Sequence, residues 1–215
     1  MNPGRPAQLT RRVLLGGGVL LLAGCVSPDS PAARVSIDKG GFKGTRVENG
    51  YELPDVTLTD TAGKPYNLRT SPTTPIVVVF FGYTNCPDVC PGILADMASA
   101  RRRMDDQALA DKITLVMVTT DPARDTPEVI GTYLKRIDAN FVGLSGPLET
   151  IVGAASKVGV SIEEGKKLPS GGYEVDHGTQ IQAFDANRRL AVVWTTGTTV
   201  ADLKADYTLL AGSAG

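Results

Sequence analysis

Three cysteines and one histidine in 215 residues are the side chains best suited to soft-metal or thiol chemistry. Two of the cysteines, Cys86 and Cys90, stand four apart, and a proline follows each: Cys86-Pro87-Asp88-Val89-Cys90-Pro91. An apolar, alanine-rich segment, Ile93 to Met104, comes next and reads as a helix. Proline suits the first position of a helix, where its missing N–H is not needed, so both sulfurs are expected at a helix mouth. Backbone N–H groups and the positive end of the helix dipole lower a thiol's pKa there and favour thiolate, the form that attacks disulfides and binds metals. A helix starting at Pro87 would have a distorted first turn, because Pro91 lacks the N–H for a bond to the Pro87 carbonyl. Cβ atoms four apart on a helix lie about 5–6 Å from each other. Two sulfurs at roughly 2.3 Å from one metal are at most about 4.6 Å apart. One ion could bridge the pair, and with small adjustment so could a disulfide. A merely structural pair is disfavoured by two Cys-Pro steps at a strand-to-helix junction.

That junction needs a strand in front of it, and Ile76 to Phe81 supplies a continuous apolar, β-branched and aromatic run ended by Gly82. Such a run reads as a fully buried strand of a parallel sheet. Upstream, Val56 to Thr59 and Pro65 to Leu68 flank the turn Thr61-Ala62-Gly63-Lys64 and predict a hairpin. Downstream, Ile113 to Thr119 is a second buried strand. Thr126 and Pro127 open a helix reaching Ile137, Asn140 to Leu144 is a short strand, and Leu148 to Val158 a helix. Ser161 to Gly172 reads as a polar, Gly-rich loop. Gln180 to Phe184 and Leu190 to Trp194 form a closing hairpin through Asp185-Ala186-Asn187-Arg188, and Val200 to Leu210 is the last helix. Strands alternating with helices indicate an α/β sandwich. His177, the single histidine, falls at the entry to the closing hairpin, which excludes two-histidine zinc motifs.

Composition is that of an ordinary globular chain, 42% apolar and 21% charged with a net charge of −1, which argues against nucleic acid as the main partner. The N-terminus reads as an export signal: Arg5, Arg11 and Arg12, then the apolar run Val13 to Ala23, then Leu22-Ala23-Gly24-Cys25. Eleven apolar residues are too few to span a bilayer as a helix. The four-residue ending resembles a bacterial lipobox, whose cysteine is lipidated and becomes the new N-terminus. Thr10-Arg11-Arg12-Val13-Leu14-Leu15 also resembles a twin-arginine signal, so both export routes stay open. The expected organisation is a lipoprotein signal at residues 1–24, lipidated Cys25 with a flexible tether to residue 50, and a folded domain at 51–215. With Cys25 taken by lipid, only Cys86 and Cys90 remain as a pair, in an extracytoplasmic setting where dithiols tend to oxidise.

Four stretches together resemble the Sco/SenC family: Phe81-Gly82-Tyr83-Thr84-Asn85-Cys86-Pro87-Asp88-Val89-Cys90-Pro91, Asp121-Pro122-Ala123-Arg124-Asp125-Thr126-Pro127-Glu128, Gly143-Leu144-Ser145-Gly146 and Tyr173-Glu174-Val175-Asp176-His177. The resemblance covers roughly Leu53 to Leu210. It implies a thioredoxin-like sandwich with an N-terminal β-hairpin extension. It also implies a membrane-tethered copper protein that helps metallate the binuclear copper centre of cytochrome c oxidase, with Cys86, Cys90 and His177 as ligands to Cu(I) or Cu(II). The implied partners are the copper-accepting oxidase subunit, a copper donor, a thiol reductant and, through the lipid, the membrane. Three positions depart from the family pattern: Gly178 where Ser or Thr is usual, Gln182 where an aromatic is usual, and no glycine in the turn after Asp185.

Residue chemistry agrees with that resemblance, since thiolates favour Cu(I), imidazole suits copper in either state, and three donors leave a position open for handover. A closed zinc site would need a fourth ligand. Asp88 either guides a partner or caps the helix. The leading expectation is therefore a copper metallochaperone rather than an enzyme, and the alternative is a thiol-disulfide oxidoreductase that reduces the cysteines of the copper-accepting subunit. The second does not need His177. A peroxidase of the peroxiredoxin kind is disfavoured, because Thr84 stands two residues before Cys86 where that signature has three, and no proline precedes it at Phe80 or Phe81.

Overall fold

Every residue of β5 (Ile76–Gly82) is buried, because both faces of this strand are covered. Its side chains divide by the two-residue period of a strand. Ile76, Val78 and Phe80 enter one core with Leu94, Met97, Leu203 and Tyr207. Val77, Val79 and Phe81 enter a second with Leu53, Leu58, Ile151 and Ala155. Burial of each such side chain is worth about 1.5–3 kcal/mol, which makes this strand the axis of the molecule.

A computed structural model describes residues 1, 34–35, 40–87, 89–167 and 173–214. Around β5 lie β1 (Arg34–Val35), β2 (Thr45–Glu48), β3 (Thr57–Asp60), β4 (Pro65–Asn67), β6 (Ile113–Thr119), β7 (Val142–Ser145), β10 (Ile181–Phe184) and β11 (Leu190–Trp194). They form one sheet in the order β1-β2-β11-β10-β5-β6-β7-β3-β4. β5, β6 and β7 are parallel, with Gly82 opposite Thr119 and Val118 opposite Leu144. The remaining pairings are antiparallel. Helices α1 (Cys90–Arg102), α3 (Pro127–Lys135) and α5 (Val200–Ser213) contribute buried residues to the first core, and α4 (Leu148–Lys157) to the second. The short α2 (Gln107–Ala110), absent from the expected elements, is capped by the Asp106 side chain, which accepts from the Ala108 N–H. The α/β sandwich and its added N-terminal hairpin are present as expected. In that hairpin the Asp60 carboxylate accepts from the Ala62 and Lys64 N–H groups across a turn where Gly63 has φ +76°.

Three features depart from what composition suggests. Within the expected loop, Ser161 to Gly172, β8 (Ile162–Lys167) pairs antiparallel with β9 (Tyr173–His177) as a separate two-stranded sheet, with Ile162 opposite His177. Backbone pairing outweighs the polar, glycine-bearing composition there. The closing hairpin lacks a turn glycine, and Arg188 itself takes the left-handed conformation, φ +61°. Its guanidinium donates to the carbonyls of Arg69, Pro72, Thr74 and Pro75, which a glycine could not do.

The third concerns the tether, expected to run to residue 50. β2 is instead hydrogen-bonded to β11, with Arg46 opposite Val192, and Phe42 packs on the first core. The fully buried Asp206 carboxylate on α5 accepts from the Lys43 and Gly44 N–H groups, both at 2.8 Å, and from Trp194 Nε1 at 2.7 Å. Gly44 lies so close to Trp194 that a Cβ would come within 2.6 Å of the indole. The folded body therefore includes residues 42–50. Cys25 and the expected leader lie outside the described residues.

Replacing Asp206 by Ala leaves three N–H groups without an acceptor, at about 1–3 kcal/mol for each that stays dry. Two of the three, Gly44 N–H and Trp194 Nε1–H, are buried, so Asp206→Ala is expected to lose at least roughly 2 kcal/mol in urea unfolding followed by Trp194, the only tryptophan. An unchanged midpoint would show that this carboxylate does not hold the segment.

Candidate metal and thiol site

The parallel strands deliver the site at their carboxyl ends, the usual place for a site in an open α/β sheet. After Gly82 the chain turns, with the Cys86 N–H donating to the Tyr83 carbonyl at 3.3 Å, and α1 begins only at Cys90. The helix therefore does not start at Pro87. Pro91 occupies the second helical position, where its missing N–H has no partner to lose, so no distorted turn is needed. Asp88 lies outside the described residues.

A buried carboxylate holds this turn in place. Asp125 accepts from the Thr84 N–H at 2.9 Å, from the Thr84 hydroxyl, and from the Thr119 hydroxyl at 2.7 Å, while its backbone carbonyl accepts from the Ser145 hydroxyl at 3.0 Å. Thr119 ends β6 and Ser145 ends β7, so one residue ties the cysteine turn to both neighbouring strand ends. Next to it, Arg124 pairs with the buried Asp121 and lies over the Tyr83 ring, 5.7 Å from its centroid. The Tyr83 hydroxyl accepts from the Val175 N–H on β9 at 3.4 Å, and its ring meets the His177 ring edge-on at 5.9 Å. Phe80 meets His177 in the same manner at 6.0 Å. These two rings fix the plane of the imidazole.

Cys90 and His177 are brought together across 87 positions, with Cys90 Sγ 3.6 Å from His177 Nε2. His177 Nδ1 is 3.0 Å from the Gly178 carbonyl. A carbonyl can only accept, so Nδ1 carries the proton and Nε2 presents its lone pair to the sulfur. Burial lowers the His177 pKa against the opposing pull of the Gly178 carbonyl and Asp176, which keeps the ring neutral. Both Cys86 and Cys90 are free thiols; Cys90 is fully buried and Cys86 partly exposed. Burial pushes the Cys90 thiol well up, and its hydrogen bond with Cys86 pushes it further. The expected lowering by the helix mouth is thus overturned for Cys90. Although it is the first residue of α1, the cost of charging a sulfur with no water around it exceeds the dipole's help.

A cavity of about 240 Å³ exposes Tyr83, Cys86, His177 and Thr179, with Glu174 and Asp176 also on its lining. With metal bonds of about 2.3 Å to sulfur and 2.0–2.1 Å to nitrogen, a 3.6 Å separation corresponds to roughly 110° at a shared ion. Cys90 and His177 therefore already stand at a ligating distance. Among the described residues no three His, Cys, Asp or Glu side chains are placed around one point where an ion would sit.

Asp125 and Tyr83 were present in the motifs read from the sequence, but their roles were not, because nothing in the spacing of Thr84 and Asp125 reveals that they meet. The departures near His177 also find their partners. A side chain at 178 would collide with the Gln180 amide, which donates to the Gly159 carbonyl at 3.0 Å. Gln182 is buried and donates to the Val158 carbonyl at 2.7 Å.

Fold and site together define a thioredoxin-like α/β protein with a dithiol and an imidazole converging at the sheet's carboxyl edge. The sequence matches the SCO1/SenC family over residues 48–211, and the chain belongs to that family. A "Putative copper-binding protein" of Stutzerimonas stutzeri is 34% identical over 128 residues, 58% of this chain and 60% of that one. The mitochondrial SCO1 homolog of Mus musculus is 38% identical over 101 residues, 47% of this chain. The chain spans only 36% of that relative's length. Among solved structures, apo Sco1 from Thermus thermophilus has a TM-score of 0.70 at 31% identity, covering 79% of this chain and 96% of that one. Bradyrhizobium japonicum ScoI with copper bound has a TM-score of 0.64 at 30% identity, covering 75% and 98%.

The different settings of the two thiols have a measurable consequence. Iodoacetamide at neutral pH is expected to label Cys86 at least about tenfold faster than Cys90, read by peptide mass mapping of the reduced protein. Equal rates would show that the Cys90 sulfur is not held away from water.

Proposed function

We propose that this chain carries copper outside the cytoplasmic membrane, holding it with Cys86, Cys90 and His177 and passing it to the copper-accepting subunit of cytochrome c oxidase for its binuclear centre. The observation that carries this reading is the 3.6 Å approach of Cys90 Sγ to an imidazole whose lone pair is directed at it. Copper is here the cargo. Membership of a family with copper-bound structures supports the choice of metal, as does the soft, three-donor set. Binding replaces the thiol protons, which leave to solvent, and the exposed side of Cys86 gives an acceptor thiol access to the ion.

A second reading, thiol-disulfide exchange with the acceptor subunit, is favoured by the arrangement of the cysteines themselves. A partly exposed Cys86 can attack a partner disulfide, and the adjoining Cys90 can resolve the mixed disulfide, leaving the partner reduced and this pair oxidised. A separate thiol reductant must then restore the pair.

The two readings separate at His177. Cu(II) prefers nitrogen donors in its coordination plane, so His177→Ala should weaken Cu(II) by more than the roughly 10–100-fold that loss of a mere outer partner costs. Cu(I) should weaken less, and Cys86→Ser or Cys90→Ser should damage both. In cells lacking the protein, His177→Ala is expected not to restore oxidase activity at limiting copper. Full rescue by that variant, with failure of both cysteine variants, would leave the reductase in place of the carrier.

Anchoring through Cys25 completes the proposal, with residues 1–24 as the removed leader. Cys25→Ser is expected to leave an unprocessed precursor or to release the protein from the membrane fraction. Membrane fractionation at the wild-type mature mass would rule the lipid anchor out.

A further inference from the structure

The cavity that exposes Cys86 and His177 shares Val89 and Thr179 with a larger one of about 450 Å³. The two adjoin, forming one trough that leads from Cys86 along the start of α1 to the loop after β11. Ile93, Ile181 and Leu203 give the larger part an apolar floor. On the rim the Thr179 and Thr196 hydroxyls are 3.0 Å apart. One donates to the other, which leaves the second proton for an incoming carbonyl. The charged side chains that line the trough are Asp96, Glu174 and Asp176, all acidic and none in an ion pair among the described residues. The whole chain has a net charge of only −1, so the trough is negative by placement and not by composition. Gly92 also lines it, inside α1, where a Cβ would meet no other segment within 4 Å. Alanine would favour the helix there and collide with nothing. What the glycine preserves is open space against the helix backbone, the condition for close approach by another chain.

Both reactions considered above bring a partner's sulfur to Cys86, so the residues beside that sulfur must lie along the trough. We infer that the trough docks the partner segment flanking its reacting cysteine, an extended stretch with an apolar side chain for the Ile93–Leu203 floor and a lysine or arginine facing the carboxylates. This rests on the reading that Cys86 reacts with a partner's sulfur, and it specifies the chemistry the partner carries next to that sulfur. Gly92 admits the segment's backbone, the free threonine proton meets one of its carbonyls, and the three carboxylates draw in its cation.

The probe is a short peptide with a central cysteine activated as a pyridyl disulfide, flanked on both sides by leucine and then by lysine. The Cys86 thiolate attacks the peptide sulfur, the probe's S–S bond breaks, and pyridinethione leaves with the electron pair and is followed by its absorbance. The reduced full chain is expected to react at least about tenfold faster with this peptide than with one carrying glycine for leucine, the least that burying one leucine is worth. It should also prefer lysine ends to aspartate ends, by a margin that shrinks as salt is raised. Gly92→Phe fills the trough and is expected to abolish the leucine preference, while dipyridyl disulfide, which needs no trough, reacts at the wild-type rate. Asp96→Asn combined with Glu174→Gln should reduce the lysine preference. Equal wild-type rates for the leucine and glycine peptides overturn the inference, whatever the variants do. So does a leucine preference that survives in Gly92→Phe. A wild-type chain inert to dipyridyl disulfide removes the accessible Cys86 and the docking with it. A chain that shows the peptide preferences but takes up no copper supports the docking and removes the copper reading alone.

Discussion

The site depends on one buried carboxylate, Asp125. The carboxylate accepts three hydrogen bonds and the backbone carbonyl of the same residue a fourth, from Thr84, Thr119 and Ser145 on three different segments, all hydroxyl or backbone N–H donors rather than cations. Removing such an acceptor leaves several buried donors unpaired at once, whereas a surface ion pair such as Arg189 with Glu52 contributes at most about 1 kcal/mol. The position of the cysteine turn is therefore set by Asp125 and not by α1, whose N-cap Val89 provides no side-chain bond. From the same loop, Arg124 over Tyr83 and Tyr83 against His177 extend that constraint to the opposite wall. A loop whose Asp125 lies 41 positions beyond Thr84 thus aligns both halves of the site.

Burial then decides what the aligned groups are. A dry sulfur and a dry imidazole both favour their neutral forms, so Cys90 holds its proton and His177 does not take one. The pair waits as thiol and lone pair, and a metal must displace the thiol proton to bind. Cys86, partly exposed and outside the helix, is the member that solvent or a partner reaches first. Two cysteines that look equivalent in the motif thereby differ in their access to solvent.

The apolar runs made much of this fold legible. Ile76 to Phe81 and Ile113 to Thr119 are buried on both faces, and Thr126 with Pro127 starts a helix as read, the Thr126 hydroxyl accepting from the Val129 N–H. Legibility failed where long-range pairing overrides composition. Residues 42–50 looked like tether because they are polar and glycine-bearing, and they join the body through an aspartate more than 160 positions away. The strand β8 was hidden for a similar reason, since its backbone partner lies across an uninformative stretch. At the site, residue types identified Cys86, Cys90 and His177 as candidates, but the thiol's protonation could not be read. Spacing reports a helix mouth, and only the packing of Phe80, Tyr83 and His177 reports that the mouth is dry.

The departures from the family pattern follow the same physics. Gly178 leaves room for the Gln180 amide, and Gln180 and Gln182 reach the carbonyls of Gly159 and Val158, where α4 has ended and its last carbonyls need donors. Two amides from the stretch after His177 thus fasten the segment that leads into β8, the strand paired with the one that carries His177. Arg188 does the equivalent at the far end of β10, closing its turn in a left-handed conformation and binding four carbonyls ahead of β5. Each unusual residue is therefore tied to a backbone group that would otherwise lack a partner. Among the described residues the His177 ring is held by the Gly178 carbonyl and by the Phe80 and Tyr83 rings rather than by an ion pair, so a group that approaches it has no ion pair to break first.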